Sequence, residues 1–148
     1  MVFLRDAGSA FPVPIEAVWK YLDSGDLHSQ AHQHRHPVRR RHAPDRGQYS
    51  WEQEFEGRTA PFTMRWTSYY PVGIVYEVLR GPLTGSKFFI FYTPKGPRTG
   101  VTVVGEFRSR TLTASMLEPA VRRFFAREFE QDRAAMRPPG PARRRPRS

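Results

Sequence analysis

The chain of 148 residues contains no cysteine, which excludes a disulfide framework and any thiolate metal site. It also lacks a run of ~18 apolar residues of the kind that spans a bilayer. The opening MVFLRDAG puts Arg5 and Asp6 where a secretory signal needs its apolar centre, so a soluble, cytoplasmic protein is expected. Lysine is scarce, with arginine supplying 21 of the 24 basic residues, a bias more in keeping with genome composition than with chemistry. No internal repeat, Ser-His-Asp order, phosphate-cradling glycine loop or paired-carboxylate motif stands out. A chain of this length is enough for one domain that buries about two thirds of its surface.

Acidic residues are few, and the net charge is +10, but that charge is unevenly placed. Arg35, Arg39, Arg40, Arg41 and Arg46 against Asp45 give +4 in residues 35–46, and Arg137, Arg143, Arg144, Arg145 and Arg147 give +5 in the tail, leaving +1 for the rest. A near-neutral body with two arginine patches differs from a fold whose whole face is basic. The tail RPPGPARRRPRS, residues 137–148, is Pro and Arg with almost nothing apolar; it is expected to be disordered, with residues 1–136 forming the folded domain. Both patches offer weak, salt-dependent contact to nucleic acid or acidic membrane.

What the chain has in quantity is aromatic residues, set in strand-like runs. Residues 2–11 read as a first strand with a bulge or bend at Gly8-Ser9. Pro14 then opens a helix carrying Ile15, Val18, Trp19 and Leu22 at helical spacing, and Gly25 closes it. A second short helix is expected from Asp26 to about His36, followed by a basic loop over 37–47. Tyr49, Trp51 and Phe55 alternate with polar residues, broken on the dry side only by Gln53. Phe62, Met64 and Trp66 repeat the pattern across a turn at Gly57-Arg58. Ile74, Tyr76 and Val78 make a third run; KFFIFYT, apolar on both faces, a fourth; and VTVVGEFRS a fifth, with Gly105 suited to a bulge. After Thr111 the period changes to 3.6, and Leu117, Val121, Phe124, Phe125 and Phe129 fall on one stripe.

These segments resemble a known family in order and kind. FPVPIEAVWKYL is similar to the strand, proline and Val-Trp helix that open START-like proteins, the polyketide cyclase or Bet v 1-like group. EVLRGPLTGSKFFIFYTPKGPRTGVTVVGEF is similar to their late strands, and MLEPAVRRFFAREFEQDRAAM to their closing helix. The resemblance covers residues 1–136. It implies an α+β helix-grip fold, a curved antiparallel sheet of about six strands wrapped on the long C-terminal helix, with short helices after the first strand. It also implies a cavity for lipids, polyketides or other apolar molecules, without one shared set of catalytic residues.

Candidate ligand-binding residues are therefore Trp51, Trp66, Tyr76, Phe89, Phe91, Phe124, Phe125 and Phe129. Glu77 and Glu106, in apolar strands, are candidate general bases if they point inward, or pair with arginines if they do not. The five histidines lie in one stretch. On a helix His28, His32 and His36 share a face; on a strand His32, His34 and His36 do. Either set can present imidazoles to Zn, Ni or Cu, although a solvated polar loop or a pH-sensitive gate suits the same residues. The leading expectation is binding or transport of a small hydrophobic ligand with no cofactor. The alternatives are an aromatase/cyclase-type enzyme using the same cavity, and an RNA, ribosome or acidic-membrane interaction module using the arginines.

Overall fold

Alternating side chains over 46–69 produce a hairpin whose turn sets the register of everything around it. In the computed structural model, which describes residues 1–137, β3 (Arg46–Phe55) and β4 (Arg58–Tyr69) are joined by Glu56 and Gly57, both at positive φ. That two-residue turn matches the right-handed twist of the strands it joins. Trp51 sits opposite Phe62 and Tyr49 opposite Met64, so one face of the hairpin is apolar and the other wet.

Five more strands complete a single antiparallel sheet: β1 (Val2–Phe11), β2 (Arg35–Ala43), β5 (Gly73–Arg80), β6 (Lys87–Lys95) and β7 (Arg98–Phe107), in the order β1-β7-β6-β5-β4-β3-β2. The seventh strand is β2, where the sequence suggests a basic loop. Its residues are nearly all exposed, so it carries no alternation to betray it; pairing with β3 and hydrogen bonds from Arg39 to Gly25 and Ser29 of α2 hold it in place. Between β1 and β2 lie α1 (Ile15–Asp23) and α2 (Gly25–Ala31). Gly25 thus begins α2 rather than merely ending α1, and α2 stops five residues earlier than the expected span to His36. The basic tail beyond Arg137 lies outside the described residues.

Register confirms one expected bulge and removes another. β1 shifts against β7 between Asp6 and Ser9, as Gly8-Ser9 suggests. Gly105 pairs regularly with Leu4 and with Phe88. It is glycine because a Cβ there would meet the Phe88 side chain and the Lys87 carbonyl oxygen, a packing requirement rather than a bulge.

The concave face of the sheet is closed by α3 (Ala114–Met136), whose Leu117, Val121, Phe125 and Phe129 are buried. Pro119 lies inside this helix, five residues past its start. From the sheet Phe62, Val103 and Phe107 meet the helix or its neighbours with almost no exposure, each contributing about 1.5–3 kcal/mol through burial. Phe107 and Phe88 both lie edge-on to Phe125, the preferred arrangement of aromatic quadrupoles. Among the described residues no helix is long and apolar enough to cross a membrane.

Candidate functional site

Sheet and helix do not fill the space between them, and a cavity of about 640 Å3 remains. Its apolar wall includes Trp51, Trp66, Tyr76, Phe124, Phe125 and Phe129, six of the eight aromatics proposed from sequence. The other two, Phe89 and Phe91, lie on the convex face. The strand pleat sends their neighbours Phe88, Ile90 and Tyr92 inward instead, and Phe89 packs on Phe91 with ring centroids 3.8 Å apart. Both faces of β6 are apolar, so alternation alone cannot choose between them.

The two glutamates are likewise outside. Glu77 is flanked by Arg65 at 3.5 Å and Lys87 at 3.8 Å, and Glu106 is exposed on β7. Neither reaches the cavity to act as a base.

The polar chemistry comes from elsewhere, at one end of the cavity. His28 on α2, His32 just after it and His34 before β2 converge, with ring centroids 4.5 Å apart for His28 and His32 and 5.4 Å for His32 and His34. His36 does not join them. The helix ends at Ala31, Gln33 takes positive φ, and the i,i+8 relation is lost; His36 lies exposed on β2. Its place is taken by two carboxylates from α3. His32 Nε2 is 2.8 Å from Asp132 Oδ1, and His32 Nδ1 is 2.9 Å from Glu128 Oε2 and 2.8 Å from Gln131 Oε1. The Tyr21 hydroxyl donates to Asp132 Oδ1 at 2.7 Å. Gln53, which interrupts the dry side of β3, accepts from Trp51 Nε1 at 2.6 Å and donates to Glu128 Oε1 at 3.1 Å. Burial of Glu128 and Asp132 is thereby compensated.

Charge in this cluster is divided unequally. Burial opposes a charge on His32, yet hydrogen bonds to Asp132 and Glu128 and their negative charge outweigh it and push its pKa up to about 11. Burial lowers His28 to about 4 and His34 to about 2, with the His32 cation adding to both effects. At neutral pH one imidazolium therefore sits beside two neutral imidazoles. Burial also raises the Tyr76 and Tyr92 phenols above their usual range, so both stay protonated and able to donate into the cavity that they line.

The opening is basic. Arg39, Arg40 and Arg41 of β2 are exposed and line the cavity at the same time. Arg39 bridges to α2 through the Gly25 carbonyl and Ser29 Oγ, and lies 5.1 Å over the Tyr49 ring. Part of the charge of residues 35–46 thus belongs to the rim of the cavity.

This architecture is the helix-grip fold of START-like proteins. Among solved structures it is similar to the Zhui aromatase/cyclase from Streptomyces sp. R1128, with a TM-score of 0.72 and 13% identity over 91% of this chain and 90% of that one. It is similar to a START superfamily protein from Mycobacterium smegmatis, with a TM-score of 0.68 and 14% identity over 90% and 96%. Ara h 8.0201 gives a TM-score of 0.72 at 11% identity over 91% and 97%. At such identities the likeness establishes the fold. No family model matches the sequence, and no curated protein does.

Proposed function

We propose that this chain binds a small, largely hydrophobic molecule between its sheet and α3, and that the polar end of the cavity orients the ligand's oxygen atoms. The observation that carries this reading is the cavity itself: about 640 Å3 walled by aromatics, with a compact set of polar groups at one end. Volumes of this order hold drug-sized ligands. A ligand burying about 300 Å2 of apolar area gains about 7 kcal/mol at ~25 cal/mol per Å2. Association costs take a large share of that, so hydrogen bonds from Tyr76, Tyr92 or the histidines are needed for micromolar affinity. The fold's occurrence in aromatase/cyclases and a START superfamily protein supports the same reading.

An aromatase/cyclase-type enzyme is the second reading, favoured by one specific observation. Imidazole and phenol donors face the same cavity as the aromatic wall, so a chain with several carbonyls would be held folded with its oxygens on fixed donors. Contact of the arginines of β2 with nucleic acid or acidic membrane is the third reading, distinguished by steep salt dependence.

Native mass spectrometry of freshly purified protein tests the first reading by looking for a lipid-sized adduct. It is joined by titration with an environment-sensitive apolar dye. Ile90→Trp, which fills the cavity from β6, is expected to weaken dye binding at least tenfold. Absence of both adduct and dye binding refutes the proposal.

A further inference from the structure

We propose that His28, His32 and Asp132 form a site for a single divalent transition-metal ion, with Zn2+ as the type case, at the polar end of the cavity. Each residue offers one donor atom, and the three atoms lie within 4.8 Å of one another. A tetrahedral ion with bonds of ~2.0 Å holds its donors about 3.3 Å apart, so small side-chain rotations close the set, and the entering ion displaces to solvent the Nε2 proton that His32 otherwise shares with Asp132 at 2.8 Å. Two imidazoles and one carboxylate suit the borderline cations, Zn2+ and its first-row neighbours, better than Ca2+ or Mg2+.

The surroundings are those that an imidazole ligand requires. His32 Nδ1 is anchored by Glu128 Oε2 at 2.9 Å and Gln131 Oε1 at 2.8 Å, which fixes the ring with Nε2 facing Asp132. A carboxylate behind the second ring nitrogen is the usual support for a metal-bound histidine. Asp132 is oriented in turn by the Tyr21 hydroxyl at 2.7 Å on Oδ1. Charge pairing alone explains why His32, Glu128 and Asp132 are together, but it does not explain His28. That ring makes no hydrogen bond among the described residues, yet it stands 4.5 Å from the His32 ring at an interplanar angle of 69°. A shared ion gives His28 its partner. All three donors line the cavity, so coordination positions not filled by protein face the space that a ligand oxygen would enter.

The site stands independently of the hydrophobic-ligand reading, and the experiment separates the two. Protein freed of metal by chelator, with its fold confirmed by circular dichroism, is titrated calorimetrically with ZnCl2. One equivalent is expected to bind with sub-micromolar Kd, and Co2+ in its place is expected to give visible d–d absorption. His28→Ala, which breaks no hydrogen bond, is expected to weaken Zn2+ binding by at least about 100-fold, with His28→Gln as a second variant should the first fail to fold. His36→Ala and His42→Ala, on the exposed strand, are expected to leave it unchanged. A flat wild-type titration, an unchanged His28 variant, or a loss that follows His36 or His42 overturns the proposal. If the apolar dye binds the metal-free protein while Zn2+ does not, the metal site fails alone.

Discussion

Replacing His32 with leucine removes the cation from between two carboxylates and leaves them facing each other. Side chains of Glu128 and Asp132 are only 15% and 10% exposed, so water cannot substitute for the lost partner. Breaking a buried pair in this way costs about 3–5 kcal/mol. A second route gives a comparable order: the rise of His32 from 6.5 to about 11, at about 1.4 kcal/mol for each tenfold change in proton affinity, corresponds to about 6 kcal/mol. The sign follows from the raised folded-state pKa. Stabilisation is complete below pH 6.5 and is lost progressively as pH climbs through about 11. In metal-free protein, urea denaturation of His32→Leu at pH 7 is expected to show a loss of about 3–5 kcal/mol, and the wild-type advantage is expected to shrink between pH 7 and 10. The triple variant His32→Leu, Glu128→Gln, Asp132→Asn is expected to recover most of the loss, because no unpaired charge remains buried. A single variant within about 1 kcal/mol of wild type across that range would refute the reasoning, since it would mean that the carboxylates are solvated without His32.

Opposite pH behaviour is expected on the acid side. His28 and His34 are held below 6.5, at about 4 and about 2, so the unfolded chain takes up protons first and stability falls as pH drops below 6.5; in His34→Phe, which keeps the stack on Trp51, the urea midpoint is expected to vary less between pH 6.5 and 4. Gly105→Ala places a methyl against Phe88 and the Lys87 carbonyl, and an overpacking loss of about 1–3 kcal/mol is expected in thermal or urea denaturation. Phe89→Ser with Phe91→Ser, on the convex face, is expected to leave the affinity for an apolar dye within twofold of wild type, whereas Phe88→Ser is expected to change it at least tenfold. A large effect of the convex pair in the same dye titration would mean that the ligand sits outside the cup.

The helix-grip order was legible because most of its elements have a wet side and a dry side. β3 and β4 alternate, with Gln53 the one polar break on the dry side of β3, β5 repeats Ile74, Tyr76 and Val78 on one side, and α3 presents Leu117, Val121, Phe125 and Phe129 at helical spacing. Two strands hid information for opposite reasons: β6 is apolar on both faces, so Phe89 and Phe91 were indistinguishable from Phe88 and Ile90, and β2 is exposed on both, so it read as a loop. Asp132 was missed because an acidic residue on an amphipathic helix is ordinarily solvated. Its signal was positional, since Asp132 and Met136 continue the buried stripe beyond Phe129. Gln53 gave the same kind of signal on β3, as a polar residue in a dry row. A charged or amide group at an apolar position is a reason to look for a partner across the core, and here both lead to Glu128 and His32.

One edge of the sheet is β2, whose only neighbouring strand among the described residues is β3. An unpaired edge invites a second chain to add its own strand. Here the inviting backbone is edged with Arg35, Arg39, Arg40 and Arg41, and two copies approaching edge to edge would bring like charges together. Three of these arginines, Arg39, Arg40 and Arg41, also rim the cavity, and their charge opposes such edge-to-edge pairing. Because such repulsion weakens as the Debye length contracts from about 10 Å at 0.1 M salt to about 3 Å at 1 M, concentrated salt removes a safeguard against strand-to-strand association.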